Sequence, residues 1–267
     1  MIIIGYFLAV LVGVSLGLVG SGGSILTVPI LVYVVGVPAS LATTYSLFVV
    51  GFSAFVGTLK ATQDKMLDYR TAISFGIPSI SSIFLVRSFL MPLVPTKIVN
   101  VANFTLTKDV AIMLLFAVLM VWTSVAMIRE GAVGKAENAP TDYSKIFLRG
   151  ILVGSITGIV GVGGGFLIIP TLVFVASLPM KRAVATSLLI IATNSFIGFF
   201  SSLQGQVMDW QFLLIFSGCS VMGILLGRFL SQFVSNEKLK PAFGWFVLAM
   251  GIYILATESV KLMGLGR

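Results

Sequence analysis

Two clusters of small residues interrupt apolar stretches of the chain, at residues 20–24 and 161–165. We name them the first and the second glycine cluster. An α-helix that starts inside a membrane leaves its first N–H groups unpaired and carries about half a positive charge at that end, so it attracts an anion. Glycine lets the backbone approach such a ligand closely. The residues predicted to present N–H donors to an anion are Gly22, Gly23, Ser24, Gly163, Gly164 and Gly165.

Glycine clusters have other roles in proteins. Small residues let helices pack closely, as the Gly-x-x-x-Gly spacing of Gly223 and Gly227 illustrates, and this packing role stays open for both clusters. A dinucleotide-binding fingerprint is excluded, because no strand pattern precedes either cluster and no acidic residue follows about 20 residues later. Pro29 and Pro170 follow the clusters and are predicted to kink or shorten the helices that begin there.

Polar side chains recur at matched positions in the apolar segment after each cluster. Ser46 and Ser53 are seven residues apart, which is nearly two helical turns, so they share one helix face. Hydroxyl and amide groups can bind an oxyanion without the cost of a buried charge. The alternative is that these side chains bond to carbonyls of their own helix or to a neighbouring helix. The predicted substrate-binding side chains are Thr44, Ser46, Ser53, Thr186, Ser187 and Asn194.

Charged residues are scarce within the apolar segments, and we find no candidate Asp or Glu there that could relay protons. Asp68 and Asp209 each precede an aromatic residue at the start of a segment and are predicted to cap helix N-termini. An arginine lies near the far end of the same segments, where snorkelling and the helix dipole can account for it. The residues predicted to serve a gate or vestibule instead are Gln63, Arg87, Gln204 and Arg228.

Catalytic and metal chemistry are poorly supplied. The chain has no His and a single Cys, Cys219, within an apolar segment. A disulfide, a metal cluster and His-based acid or nucleophile chemistry therefore have no residues to form them. We expect no metal, no cofactor and no enzyme activity.

The composition is that of a membrane protein. Of 267 residues, 58% are hydrophobic and 10% are charged, which is more apolar than a soluble domain of this size can bury. The first apolar run has no basic residue before it and no cleavage site after it, so we take it as a helix and not as a removed signal. The net charge of +8 is scattered through short loops, which argues against nucleic acid as a partner and reports membrane orientation instead.

The chain contains an internal repeat with a constant offset. Gly13 to Arg87 recurs as Gly154 to Arg228, since 154 − 13 and 228 − 87 both equal 141. Each half holds five apolar segments. In the first half they cover roughly 2–20, 24–37, 39–59, 70–91 and 110–128. In the second half they cover roughly 147–161, 165–178, 182–203, 210–230 and 241–260.

The second segment of each half decides the topology. About 14 residues of helix rise about 21 Å, less than the roughly 30 Å hydrocarbon core, so this segment is either the returning arm of a hairpin or the end of one broken crossing. With hairpins, twelve Lys and Arg residues fall on one membrane face and five on the other; with single crossings the division is nine and eight. The positive-inside rule therefore favours the hairpin.

A hairpin followed by three helices inverts the second half relative to the first. The predicted fold is an all-α polytopic membrane protein with two inverted-topology repeats, each a glycine-broken helical hairpin plus three transmembrane helices. The predicted boundaries are 1–128 for the first repeat, 129–146 for a cytoplasmic linker and 147–267 for the second repeat. Whether the hairpin arms span the bilayer or re-enter from one side stays open.

These residues resemble the sulfite exporter TauE/SafE family, also called the toluene sulfonate uptake permeases. The resemblance covers nearly the whole chain and rests on the pattern Gly161–Pro170, on Ala185–Leu188 and on Met208–Trp210 followed by spaced glycines. The first copy departs from the pattern, with Ser21 and Ser24 in its cluster, so the two half-sites are predicted to differ. The resemblance implies transport of sulfite, sulfoacetate or other sulfonates across the bacterial inner membrane.

Together, the residues and the resemblance predict a secondary transporter that moves a small sulfur-containing anion by alternating access. It is expected to be a multi-pass protein of the bacterial inner membrane, with the anion and the lipid bilayer as partners and a homo-oligomer left open. A passive anion channel with the glycine turns as its filter is the alternative. A membrane enzyme or an assembly subunit is a third class, which the lack of His, of a reactive Cys and of paired carboxylates disfavours.

Overall fold

The computed structural model describes residues 2–20, 22–95, 97–101, 104–130, 143–161, 163–174, 176, 178–203, 208–230 and 236–262. These residues form two series of five helices. The first series is α1 (Ile2–Val19), α2 (Gly22–Pro29, continued by the π-helix Ile30–Val35), α3 (Ala39–Gln63), α4 (Tyr69–Leu85, continued by the π-helix Val86–Leu90 and a turn Met91–Leu93) and α5 (Lys108–Glu130). The second series is α6 (Tyr143–Val160), α7 (Gly165–Phe174), α8 (Met180–Ser201), α9 (Trp210–Leu230) and α10 (Asn236–Leu262).

The all-α membrane fold is confirmed. Within the described ranges, five helices are long and apolar enough to cross a bilayer. They are Ala39–Gln63, Tyr69–Leu93, Lys108–Val125, Lys181–Ser201 and Trp210–Leu230. Every predicted apolar segment corresponds to one helix. The middle of the predicted linker, residues 131–142, lies outside the described residues, and the flanking helices reach Glu130 and begin again at Tyr143.

A short β-hairpin between α4 and α5 is an exception that the sequence analysis does not predict. Strand β1 (Lys97–Val101) pairs antiparallel with β2 (Phe104–Thr107), with Val101 opposite Phe104. The stretch is too short for a span, but it is rich in β-branched residues, which favour a pleated strand.

The first glycine cluster turns the chain back on itself. α1 is followed by Gly20, which has a φ of 78° and donates its N–H to the Leu16 carbonyl at 2.8 Å. α2 then returns along α1, because Gly23 lies against Leu16 while Val35 reaches Gly5, near the beginning of α1. α1 and α2 with its π-helical continuation therefore form a helical hairpin.

Proline marks the point where the returning arm changes its helix type. α2 ends at Pro29, and the next six residues, Ile30–Val35, form a π-helix. Proline has no N–H and its ring disturbs the carbonyl four residues earlier, so the α-helical pattern loses a hydrogen bond there. The arm ends at Gly36, which has a φ of 84°.

Interhelical contacts occur twice, related by the repeat. Gly13 of α1 packs on Ser220 of α9, and Gly154 of α6 packs on Ser79 of α4. Adding 141 converts Gly13 to Gly154 and Ser79 to Ser220, so these are the same contact in two copies. Both contacts are backbone to backbone, which glycine permits because it has no Cβ.

The equivalent helices α3 and α8 pack against each other antiparallel. A methyl group on Gly57 would lie 3.1 Å from Leu188 Cδ1, and one on Gly198 would lie 3.1 Å from Leu47 Cδ1. Leu47 and Leu188 occupy the same position in the two repeats, as do Gly57 and Gly198. Low numbers on one helix therefore meet high numbers on the other.

The glycine contacts between α1 and α9 should be sensitive to a single methyl group. A methyl group on Gly223 would collide with the Val10 carbonyl oxygen and would lie 2.9 Å from Gly13 Cα. A methyl group on Gly218 of the same helix would meet nothing within 4 Å. We expect Gly223→Ala to lower the free energy of unfolding by about 1–3 kcal/mol through overpacking. Gly218→Ala is the matched control and should be neutral. Thermal unfolding in detergent, followed by tryptophan fluorescence, measures both; equal effects would contradict this packing.

Candidate functional site

The second glycine cluster has left-handed backbone. Gly161, Gly163 and Gly164 have φ angles of 75°, 68° and 73°, a region that side-chain-bearing residues rarely adopt. Gly161 closes α6 by donating its N–H to the Thr157 carbonyl at 2.8 Å. α7 begins at Gly165, and the first N–H groups of a helix have no partner within it. The cluster is therefore a buried helix start next to a buried helix end.

Polar side chains from two neighbouring helices face this cluster. A methyl group on Gly163 would lie 2.5 Å from Ser195 Oγ of α8 and 3.2 Å from Val50 Cγ1 of α3. Gly164 faces Thr157 Oγ1 of α6. Any larger residue at these glycines would collide with the two hydroxyls.

Ser46 of α3 lies beside the same cluster. Thr43, three residues before it, contacts Gly161, and Val50, four residues after it, contacts Gly163. Residues at these spacings share a helix face. The Ser46 side chain is fully buried on that face.

The oxygens around the second cluster are buried and unpartnered. Ser46 Oγ, Thr157 Oγ1 and Ser195 Oγ have no hydrogen-bond partner among the described residues, and neither has Oδ1 of Asn194, the residue before Ser195. A buried polar group without a partner costs about 1–3 kcal/mol, so native proteins rarely leave several together. Three of the four are hydroxyls that can donate to an oxyanion, and the fourth is an acceptor. The arrangement suits a small polar ligand.

The first glycine cluster has a different environment, as its sequence predicts. The positions equivalent to Thr157 and Ser195 are Leu16 and Ala54, both buried and apolar. Gly23 is packed against α1, and Ser24 is fully buried. The packing role therefore describes Gly23, while the unpartnered hydroxyls of Ser46, Thr157 and Ser195 lie at the second cluster.

Two of the predicted substrate-binding side chains bond to their own helices. Thr44 donates to the Ser40 carbonyl at 3.4 Å, and Ser187 donates to the Val184 carbonyl at 2.8 Å. This back-bonding is the alternative that the sequence leaves open for Ser and Thr.

Two others bridge helices in matching pairs. Ser53 Oγ donates to Ser220 Oγ at 2.9 Å, and Asn194 Nδ2 donates to Ser79 Oγ at 2.8 Å. The offset of 141 converts one pair into the other. Ser53 therefore ties α3 to α9, and Asn194 ties α8 to α4 while its Oδ1 atom keeps no partner among the residues described.

Thr186 takes part in a paired connection at the starts of α4 and α9. It accepts the Asp68 N–H at 3.0 Å, and Tyr45, its counterpart in the first repeat, accepts the Asp209 N–H at 2.8 Å. The predicted N-caps are confirmed. Asp68 Oδ1 accepts the Thr71 N–H at 2.9 Å and Asp209 Oδ1 accepts the Phe212 N–H at 3.0 Å.

The two arginines predicted near the gates differ in exposure. Arg87 is only 5% exposed, so snorkelling to water does not describe it. Its Nη1 atom donates to Thr43 Oγ1 at 3.4 Å and to Ser202 Oγ at 3.3 Å. Arg228 forms an ion pair with Asp64, and its side chain is 30% exposed. Gln63 is exposed at the end of α3, and Gln204 lies outside the described residues.

A cavity of about 280 Å³ opens beside Arg228. Its floor is largely apolar and its rim is charged. Lining residues include Gly17, Gly57, Lys60, Lys181, Leu188 and Arg228, contributed by α1, α3, α8 and α9. The cavity therefore reaches the contact between the two equivalent helices α3 and α8.

One acidic residue contradicts the expectation that the apolar segments hold no candidate Asp or Glu. Glu258 of α10 is 2% exposed and accepts a hydrogen bond from Tyr33 Oη at 2.7 Å. It lies inside the segment predicted at 241–260, close to its end. Its burial between α10 and the returning arm of the first hairpin is a tertiary effect.

Comparison with known proteins agrees with this membrane architecture. The model of a protein family described as "Sulfite exporter TauE/SafE" matches residues 6–254. A "Probable membrane transporter protein" of Xylella fastidiosa (strain 9a5c) is 31% identical over 256 residues, covering 92% of this chain and 91% of the relative. A probable membrane transporter protein of Methanocaldococcus jannaschii is 26% identical over 266 residues, covering 93% and 94%. No solved structure gives a significant match.

The unpartnered hydroxyls should contribute nothing to the stability of the ligand-free protein. Ser195→Ala removes a buried oxygen without a described partner, so we expect the free energy of unfolding to stay unchanged or to rise. Ser53→Ala is the control, because it breaks the bond to Ser220 and should cost about 1 kcal/mol. Thermal unfolding in anion-free detergent compares the two. A larger loss for Ser195→Ala than for Ser53→Ala would show that Ser195 has a structural partner.

Proposed function

The chain belongs to the sulfite exporter TauE/SafE family, and from this premise we propose that it is a secondary transporter of small sulfur-containing anions. Membership of that family and the names of the relatives support a multi-pass membrane protein that transports anions, and indicate a transporter rather than an enzyme. The substrate, the site and the transport cycle described below are our proposal.

One observation carries the assignment of the site. Buried hydroxyls of α3, α6 and α8, without partners among the described residues, converge on the glycine cluster that precedes α7. The first N–H groups of a helix have no partner within that helix. Neutral donors of this kind can replace the water around a sulfite or sulfonate group without burying a second charge. We place the substrate oxygens at the second glycine cluster, with Ser46, Thr157 and Ser195 as donors.

The repeat supports alternating access. α3 and α8 are equivalent in sequence and antiparallel in space, so two halves that each cross the membrane would be inverted relative to each other. Inverted repeats exchange conformations between two states of mirrored accessibility. The cavity at Arg228 is open, whereas the equivalent residue Arg87 is buried, which fits a state that is open at one end.

The charges orient this state. Lys60 and Lys181 line the mouth of the cavity, and by the positive-inside rule this face is cytoplasmic. The protein would then lie in the bacterial inner membrane with the linker 129–146 inside the cell and the cavity open to the cytoplasm. Arg87 would close the opposite end.

Transport should depend on Thr157 and not on its neighbour Ser155. Both lie on α6, but Ser155 donates to the Ile151 carbonyl at 2.9 Å and is only partly buried, whereas Thr157 faces the cluster. In liposomes loaded with labelled methanesulfonate or sulfite, we expect Thr157→Val to lower the rate roughly tenfold or more, the worth of a hydrogen bond to a charged ligand. Ser155→Ala should transport at the parental rate.

The same liposomes separate a carrier from a channel. A carrier gives saturable flux and exchange of labelled for unlabelled anion, whereas a channel gives flux that never saturates and no exchange. Parental transport that Thr157→Val leaves unchanged would contradict the proposed site.

The proposed orientation can be measured with single cysteines. In a Cys219→Ser background, Lys97→Cys should react with a membrane-impermeant maleimide on intact cells. The reason is that Lys97, the first residue of β1, lies on the face opposite the cavity. Lys181→Cys should react only after the membrane is permeabilised. The reverse pattern would invert the orientation and leave the fold intact.

A further inference from the structure

Arg87 is a buried cation whose charge is not neutralised by the protein described here. It lies in the π-helical turn Val86–Leu90 and is 5% exposed. Thr43 and Ser202 occupy its Nη1 atom. Its Nε and Nη2 atoms have no partner in the described part of the chain.

The repeat explains why no carboxylate among the described residues pairs with Arg87. Its counterpart Arg228 is paired with Asp64, but the position equivalent to Asp64 in the second repeat is Gly205. Lys108, which interacts electrostatically with Arg87, carries a charge of the same sign. An arginine side chain stays protonated in proteins, so it cannot escape burial by losing its proton. Unpaired buried charges are among the least favourable features of a membrane protein.

The free atoms of Arg87 define the shape of the missing partner. Nε and Nη2 form one edge of the planar guanidinium group, the edge that binds two oxygens of one anion at once. A methyl group on Gly161 would lie 2.5 Å from Nη2, so any residue larger than glycine at this position would collide with the guanidinium edge. The edge therefore adjoins the second glycine cluster.

We propose that Arg87 binds the transported oxyanion through two hydrogen bonds at the closed end of the path, beside Gly161. This inference rests on the proposed function and extends it, since it adds a charged residue to a site otherwise built from neutral donors. The ligand class is an anion with two adjacent oxygens, such as a sulfonate, sulfite or carboxylate, and not a halide. Arg87 then supplies selectivity by geometry as well as attraction by charge.

The test measures anion binding to the full-length protein in neutral detergent, by titration with methanesulfonate and with chloride. We expect the parent to prefer methanesulfonate. Arg87→Gln should weaken methanesulfonate binding roughly ten- to hundredfold, as expected for the loss of charge-assisted hydrogen bonds. Arg87→Lys keeps the charge but loses the two-pronged edge, so it should lose the preference over chloride. Arg149→Gln, an exposed arginine of α6, is the control and should bind like the parent.

The outcomes separate this inference from the proposed function. If the parent binds and transports methanesulfonate and Arg87→Gln binds it within threefold, Arg87 is not the anion's partner, although the transporter assignment stands. If the parent neither binds nor transports any sulfonate, sulfite or carboxylate, the proposed function itself fails. Should Arg87→Gln not fold, Arg87→Lys decides: an affinity and a preference over chloride equal to those of the parent would overturn the inference.

A lipid phosphate is a second source of the same chemistry. Binding is therefore repeated in nanodiscs of phosphatidylcholine with and without phosphatidylglycerol. Methanesulfonate affinity that is independent of phosphatidylglycerol supports a site for the transported anion. Competition by phosphatidylglycerol would assign Arg87 to a lipid headgroup and overturn the proposal.

Discussion

The fold depends on one constraint: inside a bilayer, every backbone N–H and C=O group must find a partner within the protein. Continuous helices meet this requirement, and a broken helix meets it only where protein surrounds the break. The second glycine cluster is such a break, because α3, α6 and α8 enclose it with buried side chains. Hydroxyls without partners among the described residues face this break, so a polar ligand that bonds to them would be favourable there.

Because the chain contains an internal repeat, the same packing contacts occur in both halves. The Gly13–Ser220 and Gly154–Ser79 contacts, and the hydrogen bonds of Ser53 and Asn194, are pairs of equivalent interactions. Function requires that the copies differ. Leu16 and Ala54 keep the first cluster apolar, whereas the same positions in the second repeat carry the hydroxyls of Thr157 and Ser195. The repeated contacts are therefore structural, and we propose that the departures from the repeat form the site.

The equivalent arginines Arg87 and Arg228, at the two ends of the proposed path, also differ in their surroundings. Arg228 has an acidic partner and is partly exposed to solvent, and a cavity opens beside it. Arg87 has neither an acidic partner among the described residues nor exposure to solvent, so its burial is costly unless an anion lies beside it. Closure of an end and occupation by an anion would then be linked, because the anion compensates the charge that closure buries. Such linkage is what a carrier needs and a passive filter does not.

The sequence by itself determined the membrane class, the ten helices, the offset of 141 and the caps at Asp68 and Asp209. Hydropathy, capping and repetition all depend on the order of residues along the chain and need no knowledge of contacts. It also located both glycine clusters. Only the tertiary structure decided which polar groups are paired and which are buried. Ser53 bonds to Ser220 across the fold, Ser195 has no partner among the described residues, and Arg87 and Glu258 are buried. Hydrogen-bond pairing and burial depend on side chains more than a hundred residues apart in the chain, which no local pattern records.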